Sequence, residues 1–189
     1  MELDQKIESQ IKEKAFEYMK QSRPGWNVPH LHAAIFYMKE LLAHEGGDPR
    51  ILLPAIYLHD IGYAGMLNED YSYDENKKVK KDHMIIGARV AKQLLIDIGE
   101  FSEDEIGKIS ELISIHDNLS EIKGQDAQLV FEADSLAQID IDNVTPTFDK
   151  NSYSKFIDHF KNERVPIFKT KTGLKYLRQL FPKAEKYFS

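Results

Sequence analysis

Residues 51–62 read ILLPAIYLHDIG. A run without a single charge leads straight into an imidazole and a carboxylate, His59-Asp60. Burying a charged carboxylate without a partner is costly, so whatever helix ends here must deliver Asp60 to something that compensates it. A metal ion does this well, because neutral imidazole nitrogen and carboxylate oxygen are both ordinary ligands for first-row metals. Neighbours on a helix point about 100° apart, so one cation can lie between the two side chains or two cations can share the carboxylate.

Outward from this run the periodicity is helical, with no clean alternating strand. The run itself predicts a third helix from Pro49 to about Asp60, apolar on nearly every side and therefore central. Asp48-Pro49 supplies an N-cap with proline at the first helical position, and Pro54 allows a bend. Before it, Leu3, Ile7, Ile11, Ala15, Tyr18 and Met19 stripe a first helix, and Pro24-Gly25 breaks the chain. A second helix runs from about His30 to His44, striped by Ala34, Ile35, Met38, Leu41 and Leu42, and ends at Gly46-Gly47.

After it, Gly62 to Lys81 is polar, with three tyrosines, four lysines and no helical stripe. It reads as a long loop, of the kind that is functional or disordered. A fourth helix is expected from about Asp82 to Ile98, with Ile85, Ile86, Ala88, Val90, Leu94 and Leu95 inward. Ser102 to Glu105 forms a capping box for a fifth helix reaching about His116. A sixth spans roughly Ala127 to Asp140, and two more lie near Asp149 to Asn162 and Gly173 to Phe188. The expectation is an all-α, compact single-domain bundle over 1–189, with a motif-bearing core of about 28–142 and C-terminal helices over about 149–188.

Bulk properties narrow the classes. The chain has 189 residues, 42% hydrophobic and 30% charged, long enough to bury a core and neither disordered nor membrane-spanning in composition. No stretch approaches the ~20 apolar residues of a bilayer span. Its first residues, MELDQKIESQIKEKAF, lack the apolar segment of a signal peptide, so a soluble cytoplasmic protein is expected. With no cysteine, disulfides and thiolate zinc sites are excluded, and any metal must be held by His, Asp or Glu. A net charge of -6 argues against duplex nucleic acid as the main partner.

Six residues stand out together: His30, His59, Asp60, His83, His116 and Asp134. Each falls at a predicted helix start, helix end or inward face, which brings them to the middle of the bundle, where metal sites are built. His30 shares the face of Ala34, Met38 and Leu41; His32 points about 200° away and is the alternative first ligand. Singly, each has a plain reading as a hydrogen-bonded core or capping residue. His44, His159, Asp117 and Glu132 receive no functional role.

The order H…HD…H…H…D resembles the HD-domain superfamily of metal-dependent phosphohydrolases. The spacing from His30 to His59-Asp60 is similar to the common one, EADSLAQID looks like the family's last motif, and FKTKTGLKYLRQLFPKAEKYF resembles tails of small bacterial HD hydrolases. The resemblance implies that His30, His59, Asp60 and Asp134 bind a primary metal. It further implies that His83 and His116 complete a second site with Asp60 bridging, or face phosphate where one metal is absent. Iron, manganese, zinc, cobalt and nickel all suit such ligands, one or two ions per chain. The implied reaction is hydrolysis of a nucleotide or other small phosphorylated metabolite, with Asp60 as the bridging or water-orienting catalytic residue. Lys77, Lys78, Lys80 and Lys81, just before His83, would draw the anion in. A mixed-valence di-iron oxygenase, and a regulatory module with a non-catalytic metal, share the same pattern. No membrane partner is expected, and the oligomeric state is not legible.

Overall fold

The computed structural model describes residues 3–23, 25–67 and 71–188. Among the described residues are eight α-helices and no strand. They are α1 (Gln5–Met19), α2 (Asn27–Glu45), α3 (Pro49–Leu58), α4 (Tyr73–Ile98), α5 (Glu103–Ile115), α6 (Gly124–Ile139), α7 (Lys150–His159) and α8 (Lys171–Ala184). The chain is all-α, as its periodicity predicts. Gly25 takes a positive φ of 74° in the break between α1 and α2, and Pro24 lies outside the described residues.

Two helices have no solvent face. Every residue of α3 from Ile51 to Leu58 is buried, and so is every residue of α6 from Ala127 to Ala137. A helix apolar on all sides has to be surrounded, and α3 is: it packs on α1, α2, α5 and α6. The outer helices carry one buried stripe each, such as Ile7, Ile11, Ala15 and Met19 on α1. Asp48 caps α3 from Arg50 N–H with Pro49 at its first position, and Pro54 sits within the helix.

The expected loop before His83 is largely helix. α4 starts at Tyr73, capped by a box in which Ser72 Oγ accepts from Glu75 N–H and Glu75 returns to Ser72 N–H. The S-x-x-E signal was present in the sequence, but its first turns carry charge rather than an apolar stripe because they face solvent and a cleft. Residues 68–70 of that expected loop lie outside the described residues.

The inward face of α4 agrees with expectation at Leu95, which is buried, and at Ala88, Val90 and Leu94, which pack against the core. Ile85, however, is 54% exposed, and the other buried positions are His83, Met84, Gly87 and Ala91. Small residues win there because α4 lies backbone to backbone against the single 3-10 turn that follows Asp60. A Cβ on Gly62 would stand 2.0 Å from the His83 carbonyl oxygen, and one on Gly87 3.3 Å from Gly62 N. A hydrophobic stripe cannot report a contact made by missing side chains.

This close approach sets how far His83 stands from Asp60. Gly62→Ala is expected to cost about 2 kcal/mol or more through overpacking. Gly107→Ala, at an exposed α5 position with nothing within 4 Å of the new carbon, should gain about 0.5–1 kcal/mol. Thermal melts of the two variants read this directly, and equal melting points would contradict the packing.

Candidate metal centre

Two helices end on the same device. His59 caps α3 and His116 caps α5, and each ring Nδ1–H donates to a carbonyl three residues back, Ile56 O at 2.7 Å and Ile113 O at 2.8 Å. A carbonyl only accepts, so Nδ1 carries the proton and Nε2 of the neutral ring offers a lone pair. His30, in the first turn of α2, and His83, about three turns into α4, are placed by stacking. His30 lies 4.2 Å from the Trp26 ring and His83 3.9 Å from the Tyr63 ring, centroid to centroid. Their buried Nδ1 atoms have no hydrogen-bond partner.

The four Nε2 atoms converge on two carboxylates. His30 Nε2 stands 3.2 Å from His59 Nε2 and 3.2 Å from Asp134 Oδ1. His59 Nε2 is 3.5 Å from Asp134 Oδ1. Asp60 divides its oxygens. Oδ2 faces His30 at 3.6 Å and His59 at 3.5 Å, while Oδ1 faces His83 at 3.5 Å and His116 at 3.6 Å. Two groups result, His30-His59-Asp60 and Asp60-His83-His116, each with one ligand-capable atom per residue within 4.8 Å of the others. All six residues are buried. His32 is exposed and rests on the Phe16 ring, so the stripe phase favouring His30 corresponds to the fold.

Lone pairs and carboxylate oxygens facing one another repel, so the cluster needs a positive charge among them. A metal about 2.1 Å from its ligands separates neighbouring ligands by about 3.0–3.4 Å, close to the spacing seen. The His/Asp clusters can therefore hold a metal ion. Two helix C-termini, those of α3 and α5, end at the cluster and favour a cation further.

Titration directions tell the same story. Burial alone would raise Asp60, but the facing His59 and His116 rings and Arg23 hold it well below the usual carboxylate range. Burial would likewise raise Asp134, and the facing His30 and His59 rings, with Arg164, lower it. Burial opposes a proton on His59, yet Asp60 and Asp134 raise that ring to about 9. His30 and His83 are both lowered, chiefly by burial, His83 to about 3.

A cleft opens beside the cluster. Lys77 and Lys80 line it, whereas Lys78 and Lys81 do not, so half of the lysine run has the placement expected of it, on a helix instead of a loop. Tyr63 and Tyr73 also line it. Tyr71 is buried against Thr147, 3.2 Å between hydroxyls.

Sequence reading missed several neighbours. Arg23 is buried between the rings of Trp26 and Tyr63 and donates to Asp60 Oδ2 at 3.1 Å. Arg164 donates to Asp134 Oδ2 at 2.9 Å and to Asp117. Asp117 and His159, given no role above, both line the cleft. Glu132, also given none, accepts from Lys169 N–H, Thr170 N–H and Thr170 Oγ, tying the start of α8 to α6. For Arg23, the adjacent Trp26 was a usable signal; nothing near Arg164 marked it.

An all-α chain with four imidazoles and two carboxylates meeting between its helices defines a class of helical His/Asp-site protein. The HD domain family model matches residues 29–139, more than half of the chain and all six residues of the cluster, so this protein belongs to the HD-domain family. That superfamily consists mostly of metal-dependent phosphohydrolases. No curated protein and no solved structure matches the chain significantly.

A divalent ion at a hundred times its dissociation constant should add about 2.7 kcal/mol of stability, which raises the melting temperature by about 5–10 °C in a chain of this size. Scanning calorimetry with Mn²⁺ and then with excess chelator checks this. The rise should vanish with chelator and be absent in Asp60→Asn.

Proposed function

We propose that this protein is a metal-dependent phosphohydrolase acting on a nucleotide or another small phosphorylated metabolite. The carrying observation is Asp60, whose two oxygens each face a separate pair of imidazoles. In this reading His30, His59, Asp60 and Asp134 hold the first metal, and Asp60, His83 and His116 hold a second. The bound metal would neutralise phosphate charge and lower the pKa of its water, making a nucleophile available near neutral pH.

The chain's own residues account for the rest. Asp60 is the catalytic residue, the one group able to serve both positions and keep them in register. The hydrogen bonds from His59 and His116 to helix carbonyls leave only Nε2 to bind, which fixes ring tautomer and direction. Lys77 and Lys80 on α4, with Arg23 and Arg164, line the cleft together with Asp60, Asp117 and Asp134, to which Arg23, Lys80 and Arg164 are paired. With a divalent ion bound, this near-balanced lining would tip to net positive and draw in an anion. A recessed cleft of this kind fits a small phosphorylated molecule better than duplex nucleic acid, whose backbone needs an extended basic face. No helix among the described residues is long and apolar enough to cross a membrane. A cytoplasmic place of action is part of the proposal, resting on the cysteine-free sequence.

The paired groups around Asp60 suit a di-iron oxygenase equally in ligand terms; Lys77 and Lys80 beside the cluster, placed to meet a phosphate once metal is bound, favour the hydrolase. The metal-loaded protein should release phosphate from at least one member of a broad phosphoester panel without consuming oxygen. Asp60→Asn should lower that turnover by more than about 100-fold while circular dichroism stays helical. Oxygen uptake by an iron-loaded sample, with no phosphate released, would replace this reading by the oxygenase. A metal-replete sample inert in both assays would leave a binding module.

A further inference from the structure

Arg164 lies beyond the family-matched segment, yet it is among the most deeply buried large side chains of the protein. It closes a five-residue π-helical turn, Phe160–Arg164, that continues α7. Such turns are uncommon and cluster at functional sites. The turn aims the guanidinium back at α6. Its Nη2 donates to Asp134 Oδ2 at 2.9 Å and to Ser135 Oγ at 2.7 Å, Nε donates to Ser135 Oγ at 3.1 Å, and Nη1 donates to Asp117. The Phe131 ring lies against the same group, 4.9 Å from its centre.

Each of these partners adjoins the cluster. Asp134 offers its other oxygen, Oδ1, to His30 and His59. Asp117 follows His116 directly and also accepts from Lys80 Nζ at 2.9 Å, one turn before His83 on α4. A rigid planar fork therefore fixes the outer oxygen of one carboxylate and leaves the inner one free. Gln138 Nε2 also donates to Asp134 Oδ2, at 2.8 Å, so without Arg164 a single neutral donor on a rotatable side chain would be left to hold that oxygen outward.

We propose that Arg164 is a positioning residue for metal binding: it holds Asp134 so that Oδ1 stays aimed at His30 and His59. The C-terminal segment thereby supports a centre whose six His and Asp residues lie within the family-matched region. This inference rests on the metal reading of the cluster given above. Two effects of a guanidinium on a metal site oppose each other, and they can be separated. As a mere positive charge, Arg164 would repel the ion, and its removal would tighten binding. As an orienting fork, its removal loosens binding, and loss of an outer-shell partner commonly costs about 10–100-fold in metal affinity.

The test measures the affinity of the purified full-length chain for Co²⁺ by chelator competition, with the visible absorption of bound Co²⁺ as a second readout. Arg164→Lys keeps the charge and loses the fork, so affinity should fall about tenfold and the absorption should change shape. Arg164→Gln loses both and should still bind more weakly, by about 10–100-fold. Ser135→Ala leaves every charge in place and loosens the fork's neutral anchor. It should weaken binding by about threefold to tenfold, and it decides the matter if the Arg164 variants do not fold. Arg50→Lys, altering an ion pair to Glu105 at the opposite end of α3, should change stability without changing Co²⁺ affinity.

Wild-type affinity in Arg164→Lys, tighter binding in Arg164→Gln, or an unchanged Ser135→Ala should the others fail to fold, each overturns the inference while leaving the metal reading intact. A wild-type chain that takes up no Co²⁺ overturns the metal reading and this inference together.

Discussion

Two carboxylates, Asp60 and Asp134, are buried side by side among imidazoles, and the rest of the structure is arranged to make that tolerable. Uncompensated, either charge would cost more than a domain of this size can absorb. Each is answered twice. An arginine reaches each, Arg164 on the outer oxygen of Asp134 and Arg23 on Asp60 Oδ2, the oxygen that also faces His30 and His59. Both Asp60 oxygens, Asp134 Oδ1 and the Nε2 atoms still face one another as a set of acceptors that asks for a cation.

Helix termini do the positioning. α3 and α5 each finish on a histidine that turns its Nδ1–H back onto its own helix, so the end of the helix and the direction of the ring are set together. α6 passes Asp134 through the core instead of ending there, which is why that helix is buried on all sides and why Arg164 can reach the carboxylate from behind. α4 comes close enough to bring His83 to Asp60 only because Gly62 and Gly87 have no side chains between them. The site is thus a consequence of helix packing distances as much as of ligand chemistry.

The sequence made a good part of this legible, for physical reasons. The apolar run Ile51–Leu58 has to be central, and a carboxylate at its end has to be met, so the core and the middle of the site could be read together. His30 could be told from His32 because helical phase separates them by more than half a turn. Other features were hidden because they depend on contacts between distant segments. The start of α4 was obscured by lysines that serve a cleft and solvent, and part of its inward face by glycine, which carries no hydrophobic signal. Arg164 could not be seen at all, since its partners lie 29 to 47 positions away in the chain and the π-helical turn that aims it has no sequence mark.

Everything here depends on a cation sitting among the acceptors of the cluster. Anomalous diffraction at the manganese edge, from crystals grown with Mn²⁺, addresses that directly. A peak should appear between His30, His59, Asp60 and Asp134, about 2.0–2.2 Å from the ligand atoms, with any second peak between Asp60, His83 and His116. Well-ordered crystals of manganese-replete protein showing no peak there, or a peak held by other residues, would contradict the account.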